Sequence, residues 1–276
     1  MKTNDKTNTD RLPTLRKGVQ MNPQKIARVA GVLFLITYIT SIPAAFFLYP
    51  PVLDNPNYIV GAGADTSVRL GALLELILVV ANIGTAVVLW PVLKRVHETL
   101  ALGFVTARVV ESFFIAIGVL SLLTVVALRQ GAAAGADASS LVTVGESLVA
   151  LHDWTFLLGP GFAVAIGNGL ILGYLMYRSG LVPRGLAVLG LIAGPVLLAR
   201  FVGVLFGVFE PLSVLGAIMV FPEFIWELAF GIWLVVKGFN PAAVASLSTS
   251  SDDGVLTGVE QPAAVVPSNG HVASNV

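Results

Sequence analysis

The chain has 276 residues, of which 56% are hydrophobic and 12% are charged. Soluble domains usually carry about 25% charged residues, so this composition is typical of a membrane protein. The formal net charge of zero provides no basic field that would attract nucleic acid, and the absence of cysteine excludes disulfides, thiolate metal sites and cysteine nucleophiles.

Six apolar runs long enough to cross a bilayer follow a polar N-terminal segment. They cover residues 26–49, 70–93, 100–128, 154–177, 185–209 and 213–236. We expect residues 1–24 and 238–276 to be disordered tails, because both are too polar to fold alone. The part between them, 25–237, is predicted to be one transmembrane domain. Its first run is longer than the apolar part of a signal peptide, so we expect an uncleaved span.

Lysine and arginine residues lie in alternate loops between these runs. Lys94 and Arg95 follow the second run, Arg178 and Arg184 follow the fourth, and Lys237 follows the sixth. The opposite loops contain mainly aspartate and glutamate. Because loops rich in lysine and arginine stay in the cytoplasm, this alternation predicts an all-α bundle of six transmembrane helices with both termini cytoplasmic.

The loop before the fourth run has the apolar periodicity of a short amphipathic helix. Leu141, Val144, Leu148 and Leu151 share one helical face. Such a helix could lie at the outer membrane surface. The alternative is a connecting helix that packs on the bundle.

Ionisable and amide side chains within the apolar runs are the main candidates for a functional site. They are Glu75 and Asn82 in the second run, Arg108 and Glu111 in the third, Asn168 in the fourth, Arg200 in the fifth, and Glu223 and Glu227 in the sixth. A charge at the centre of a membrane helix costs roughly 2.5–3.5 kcal/mol, so these groups need partners inside the protein. Arg108 and Glu111, three residues apart, share a helix face. Glu223 and Glu227, four apart, share another.

Three interpretations of these residues are open. In the first, Arg108 pairs with Glu111 or a carboxylate of the sixth run, Arg200 pairs with another carboxylate, and the pairs fix the helix packing. In the second, the groups line a pocket at mid-depth that binds an ion or small molecule, or relays protons. In the third, they lie at shallower depth and reach the interface.

The acids within the runs outnumber the bases, because four glutamates stand against two arginines. At least one carboxylate therefore lacks a cation. Burial and repulsion between neighbouring carboxylates both favour the protonated form. We expect one proton to be shared among Glu111, Glu223 and Glu227 near neutral pH, with Glu223 or Glu227 as the residue that carries it.

Prolines and glycines interrupt several of the predicted spans. Pro222 directly precedes Glu223, Pro195 lies inside the fifth run, Pro43 inside the first, and Gly159-Pro160-Gly161 at the start of the fourth. Broken helices beside polar groups are a feature of transporter binding sites. Simple proline kinks are the alternative, since membrane helices tolerate them.

Three Gly-x-x-x-Gly motifs predict close helix contacts. They begin at Gly169, Gly190 and Gly203, in the fourth and fifth runs. Such motifs let helix backbones approach closely, so we expect the fourth and fifth spans to pack together. A homo-oligomer formed through the same faces is the alternative.

The sequence contains no pattern that supports an enzyme. His97 and His152 lie at opposite ends of their spans and cannot share a metal ion. No nucleophile elbow, zinc-protease, P-loop or dinucleotide motif stands in a supporting context. We therefore expect no catalytic residue, no cofactor and no metal, and the lipid bilayer as the main partner.

Several segments resemble one bacterial membrane family, that of domain of unknown function 4386. They are RVAGVLFL from Arg28, RVVE over 108–111, GYLMYRSGLVPR over 173–184, PEFIWE over 222–227 and WLVVKG over 233–238. The resemblance extends from about residue 22 to residue 240. It implies a multi-span protein of the bacterial inner membrane, without an established activity.

Two functions of different classes are compatible with these features. The leading hypothesis is the binding or transport of a small solute or ion, linked or not to protons, through Glu111, Glu223, Glu227, Arg108 and Arg200. The alternative is a non-catalytic membrane component that assembles with or senses a partner, with purely structural charges. An enzyme that acts on lipid is a more distant alternative.

Overall fold

The computed structural model describes residues 22–61, 63–135, 137–211 and 213–247, and all regular structure within these ranges is helical. The α-helices are α1 (Pro23–Pro43), α2 (Pro50–Leu53), α3 (Asp65–Ala133), α4 (Ala138–Phe156), α5 (Gly173–Ser179), α6 (Arg184–Leu205), α7 (Val214–Ile218) and α8 (Phe221–Val236). Wider π-helical turns form Ala44–Leu48, Leu157–Ala163 and Ala165–Leu172.

Five helical stretches in the described part of the chain are long and apolar enough to cross a membrane. They are Pro23–Leu48, Asp65–Ala133, Ser139–Ser179, Arg184–Leu205 and Val214–Val236. This confirms an all-helical protein with several candidate membrane spans. The second stretch contains both the second and the third predicted run.

Helix α3, 69 residues long, is a hairpin of two helical arms that meet at His97. The backbone there is extended, with φ −164° and ψ 106°. A continuous helix would separate Asn82 from Glu111 by about 43 Å, yet the Asn82 Nδ2 atom donates to Glu111 Oε1 over 2.8 Å. Nearer the open end, Arg129 pairs with Asp65 over 2.9 Å. The arms, 65–96 and 98–133, are therefore antiparallel.

The His97 side chain also begins the second arm. Its Nδ1 atom accepts a hydrogen bond from the Leu100 N–H over 3.3 Å. This bond satisfies one of the amide groups that a helix start leaves free. The histidine thus ends one arm by its backbone and caps the next by its ring.

Both ends of the described chain lie at the same end of the bundle. The Gln24 Nε2 atom donates to the Phe239 carbonyl over 2.6 Å, and the Phe239 N–H donates to Gln24 Oε1 over 3.1 Å. The Asn240 N–H donates to the Leu181 carbonyl, which adds the loop between α5 and α6. We call this the Phe239 end. The other, the Tyr49 end, is built around the buried residues Tyr49, Val52, Tyr58, Val68, Leu122 and Val126.

The folded part extends beyond both predicted tail boundaries. Pro23 and Gln24 belong to α1, and residues 241–247 form a further helical turn after the buried Phe239. The prediction of a disordered tail from 238 was therefore wrong for its first ten residues, because Phe239 is buried in the core and Ala243, Val244 and Leu247 pack against it. The rest of both predicted tails lies outside the described residues.

Helix α4 continues directly into the fourth predicted span and packs on α3, so of the two alternatives the structure favours a connecting helix on the bundle over a separate helix at the membrane surface. Its predicted apolar face is only half correct, since Leu141 and Leu148 pack against the bundle whereas Val144 and Leu151 are exposed. The buried face includes small and polar residues instead, such as His152 and Thr155. Periodicity of apolar residues cannot identify a helix face of this kind.

The last predicted span is interrupted just before Pro222. Helix α7 ends at Ile218, two residues form a turn, and α8 begins at Phe221 with Pro222 in its first turn. Proline fits there because the first amides of a helix need no partner within it. Pro195, by contrast, lies within a continuous α6.

Glycines bring the fourth and fifth predicted spans into contact, as expected. A Cβ atom on Gly194 would lie 2.7 Å from the Ala165 carbonyl oxygen and 2.9 Å from the Leu170 nitrogen. A Cβ atom on Gly173 would lie 3.1 Å from the Leu191 nitrogen. The third motif differs, because Gly203 faces Phe209 of its own loop.

We predict that Gly194→Ala lowers the free energy of unfolding by about 1–3 kcal/mol, because the added methyl group has no space between the two backbones. Gly185→Ala is the matched control, since its Cβ would meet nothing within 4 Å in the same helix. Denaturation of the purified proteins in mixed micelles measures both. A Gly194→Ala protein as stable as the control would contradict the close packing.

Candidate functional site: a buried charge network

Arg108 and Glu111, on the second arm of α3, form the centre of a buried network. The Arg108 Nη1 atom lies 2.8 Å from Glu111 Oε2. Asn82, on the first arm, accepts from Arg108 Nη2 over 2.7 Å and donates to Glu111 Oε1 over 2.8 Å. Thr85 accepts from Arg108 Nε over 3.3 Å. These bonds fasten the two arms to each other.

The same guanidinium group reaches α1 and α8. It lies 3.6 Å from Glu227 Oε1 and 5.4 Å from the centre of the Phe34 ring. The Tyr38 hydroxyl donates to the Phe224 carbonyl over 2.7 Å and lies 3.5 Å from Glu227 Oε2. Three elements that are distant in sequence thus meet at one cation.

Glu223 lies one turn before Glu227 and is only 3% exposed. Neither of its carboxylate oxygens has a hydrogen-bond partner among the described residues. Its Oε2 atom lies 2.9 Å from the position that a Cβ atom on Gly169 would occupy. The absence of a side chain at Gly169 therefore makes room for this carboxylate.

Asn168 lies in the π-helical turn next to Gly169 and is fully buried. Both polar atoms of its side-chain amide lack a partner among the described residues. Its backbone carbonyl accepts from Trp226 Nε1 over 3.2 Å. Helix α8 is thereby held against the π-helical turn one turn after Glu223, and π-helical turns are frequent at functional sites.

The network contains three carboxylates and one cation. Glu111, Glu223 and Glu227 all interact electrostatically with Arg108. The expected surplus of acids is therefore present at this site. One arginine balances the charge of one carboxylate, so two negative charges of the network remain uncompensated. Uncompensated buried charges are unfavourable, and the binding of a proton or a small cation would lower this cost. Among the described residues no group of three histidine, aspartate or glutamate side chains could hold a metal ion.

Arg200 does not belong to the network, and it forms no pair with a carboxylate among the described residues, as the first of the three interpretations required. Its Nε atom donates to the Gly216 carbonyl over 2.9 Å, and its Nη2 atom donates to the Pro211 carbonyl over 3.0 Å. It lies near the end of α6, where the following loop and the short α7 present carbonyl groups. Its role is to hold this connection in place.

Glu75 also lies outside the network. Its Oε2 atom accepts from the Tyr49 hydroxyl over 2.8 Å. Tyr49 is buried against His152, which is also buried, and the two rings are in edge contact with their centres 5.6 Å apart.

Sequence reasoning missed Phe34, Tyr38 and Thr85. A tyrosine in the middle of an apolar run was an available signal for Tyr38, because a buried hydroxyl usually needs a partner. Nothing in the sequence distinguished Phe34 from the other apolar residues of α1.

Arg129, which directly follows the third predicted apolar run, forms a separate salt bridge at the Tyr49 end. It pairs with Asp65 over 2.9 Å, and the Tyr58 hydroxyl donates to the other oxygen of Asp65 over 2.9 Å. Burial, followed by the hydrogen bond to Asp65, raises the pKa of Tyr58, so its hydroxyl stays protonated. The salt bridge between Arg129 and Asp65 therefore joins the two arms of α3 at the open end of the hairpin.

Long apolar helices around a buried charge network define a polytopic helical membrane protein. The chain belongs to the family described as domain of unknown function DUF4386, whose model matches residues 29–238. This range contains every residue of the network, and the expected resemblance is confirmed. No curated protein and no solved structure matches the chain.

We predict that Arg108→Met lowers the free energy of unfolding by about 3–5 kcal/mol, because the buried carboxylates lose the one cation that contacts them within the described residues. A second change, Glu111→Gln, should recover part of this loss by removing one charge. Chemical denaturation in mixed micelles measures both effects.

Arg178→Met is the control for the loss of an exposed arginine. If Arg108→Met were no more harmful than this control, the network would not contribute to stability.

Proposed function

We propose that the protein binds protons or a small cation at the Arg108 network and carries them across the membrane, alone or with a small solute. The observation that supports this most directly is Glu223, a buried carboxylate that packs against Gly169 and whose two oxygens have no hydrogen-bond partner among the described residues. Polar groups within membrane helices are costly, and where they persist unpaired they are commonly part of an ion or proton pathway.

Four residues of the network, Arg108, Asn82, Glu111 and Glu227, differ from Glu223 because their side chains contact one another. Arg108, Asn82 and Glu111 bond one another and hold the arms of α3. Glu227 has the more distant contact with Arg108, at 3.6 Å. We therefore assign the exchangeable proton to Glu223, with Glu227 as the group that shares it.

A proton fits this site better than a divalent metal ion does. The network contains three carboxylates, but no group of three acidic or histidine side chains among the described residues is arranged so that it could hold a metal ion. A carboxylate needs only one proton to become neutral, and the neutral acid gains a hydrogen-bond donor.

We further infer six membrane crossings, with both termini in the cytoplasm of a bacterial cell and the protein in its inner membrane. The antiparallel arms of α3 each have enough length to cross. The contact between Gln24 and Phe239 supports an even number of crossings. Lys94, Arg178 and Lys237 support the Phe239 end as the cytoplasmic one.

A purely structural role is the second candidate, and one observation favours it. The donors of Arg108 are engaged by Glu111, Asn82 and Thr85 within the α3 hairpin. Such a network can specify packing without taking part in transport. In that case the protein would act as a membrane component that assembles with a partner.

We predict that Glu223→Gln reduces proton flux into liposomes by about tenfold or more, while the free energy of unfolding changes by less than about 1 kcal/mol. Glutamine keeps the shape of glutamate and cannot exchange a proton. The measurement is the quenching of a pH-sensitive dye inside the liposomes under an imposed potential. Glu98→Gln, at an exposed position beside the His97 hinge, is the control.

The proposal would be overturned if liposomes with the wild-type protein showed no more proton flux than empty liposomes. If Glu223→Gln then also destabilised the fold as strongly as Arg108→Met, the structural role would be the better interpretation.

A further inference from the structure

A cavity of about 310 Å³ lies at the Phe239 end, and no residue of the Arg108 network lines it. One wall is the loop between α5 and α6, with Leu181 and Pro183. The other wall is the end of α8 and the turn after it, with Trp233 and Lys237. We call this space between the start of α6 and the end of α8 the Lys237 cavity.

The backbone that forms the Lys237 cavity is anchored on both sides. Gly238 has a φ of 71°, in the left-handed region that commonly ends helices, so the chain turns sharply after α8. Phe239 is then buried in the core. The Asn240 N–H donates to the Leu181 carbonyl over 2.9 Å, which joins the two walls. The cavity is therefore part of the fold and not a gap at a loose chain end.

Lys237 is the one ionisable side chain among the described residues that line the cavity. It is exposed, and it forms no salt bridge with an acid of the described ranges. The backbone amides of Lys237 and Gly238 both donate to the Trp233 carbonyl and offer nothing to a ligand. The ammonium group, with three donors, is therefore the group of this cavity that would bind an anion.

The charges around the cavity are almost all positive. The exposed charged residues at the Phe239 end, within the described ranges, are Lys25, Arg28, Lys94, Arg95, Arg178, Arg184 and Lys237, with Glu98 as the one acid. Arg184 directly follows Pro183 of the cavity wall. The field at this end therefore attracts anions, and the adjoining membrane surface supplies them as lipid phosphate groups.

The apolar part of the surroundings fits the boundary between lipid headgroups and acyl chains. Trp233 lies half-buried in the last turn of α8, and tryptophan is enriched at membrane interfaces. The neighbouring Ile232 and Val236 are 47% and 64% exposed. A soluble anion would gain nothing from this apolar surface. A phospholipid, by contrast, can place its phosphate at Lys237 and its acyl chains along α8.

We propose that the Lys237 cavity binds the headgroup of an anionic phospholipid, with Lys237 on the phosphodiester and Trp233 at the top of the acyl chains. The volume is at the lower end of small-ligand pockets, about 300–1,000 Å³, and so suits a headgroup alone. The bound lipid would brace the turn at Phe239, which also holds Gln24 of α1. The site does not depend on the proposed proton transport.

The experiment uses the full chain in vesicles of phosphatidylcholine with increasing fractions of phosphatidylglycerol. The phosphatidylglycerol is brominated near the headgroup end of its acyl chains, because bromine quenches tryptophan on contact. Trp90→Phe and Trp154→Phe form the background, in which Trp233 is the accessible emitter, since Trp226 is fully buried. The same titration with brominated phosphatidylcholine gives the reference, and the ratio of the two binding constants is the preference for the anionic lipid.

We expect a preference of about fivefold at Trp233, the contribution of one lysine close to the membrane surface. Lys237→Gln should abolish this preference, and Lys237→Arg, which keeps the charge, should retain it. Lys94→Gln is the matched control, because it removes an exposed lysine at the same end that does not line the cavity.

Three results would overturn the lipid site. The first is equal quenching by the two lipids in the wild type, or an unchanged preference in Lys237→Gln. The second is an equal loss of preference in Lys94→Gln, because attraction would then be spread over the whole basic end. The third is recovery of the emission when soluble glycerol phosphate is added in excess, since the cavity would then bind a free phosphate ester. Loss in Lys237→Gln alone supports the site, whether or not the protein transports protons.

Discussion

The position of Arg108 is the constraint on which the rest of this bundle depends. A guanidinium group buried among apolar helices is tolerated only when acids and acceptors surround it, because no bulk water is available to solvate it. Its partners Asn82, Glu111 and Glu227 come from both arms of α3 and from α8. The hairpin at His97 is necessary for this arrangement, since a straight helix would carry Asn82 far from Glu111.

Small residues decide how closely the remaining helices approach this centre. A Cβ atom on Gly31 would lie 2.7 Å from the Gly231 carbonyl oxygen, which shows how tightly α1 packs on α8. Gly169 and Gly194 allow a similar approach between the π-helical turn and α6. Lipid offers no hydrophobic driving force between helices, so close packing of this kind supplies much of the association energy. It also encloses Glu223, whose carboxylate no donor of the described residues reaches.

The buried polar side chains form two clusters with different properties. The Arg108 network combines a fixed cation with an excess of carboxylates, and its hydrogen bonds lock the hairpin. The second cluster, Tyr49, Glu75 and His152, contains no lysine or arginine within the described residues. In the proposed function, proton exchange at Glu223 need not break the hydrogen bonds that hold the helices, because Glu223 makes none of them within the described residues.

The sequence by itself determined the helical class, the apolar runs, the shared helix face of Arg108 and Glu111 and the excess of acids, while it left open whether Pro222 breaks or only kinks the last span. Only the tertiary structure decided that Glu227 shares Arg108, that Arg200 binds carbonyls, and that Glu75 belongs with Tyr49 and His152. The physical reason is that these helices are apolar on nearly every face, both toward lipid and toward the bundle. Their periodicity therefore reveals that they are helices but not which faces meet. Partners across helices follow from packing and register, which a list of polar residues does not contain.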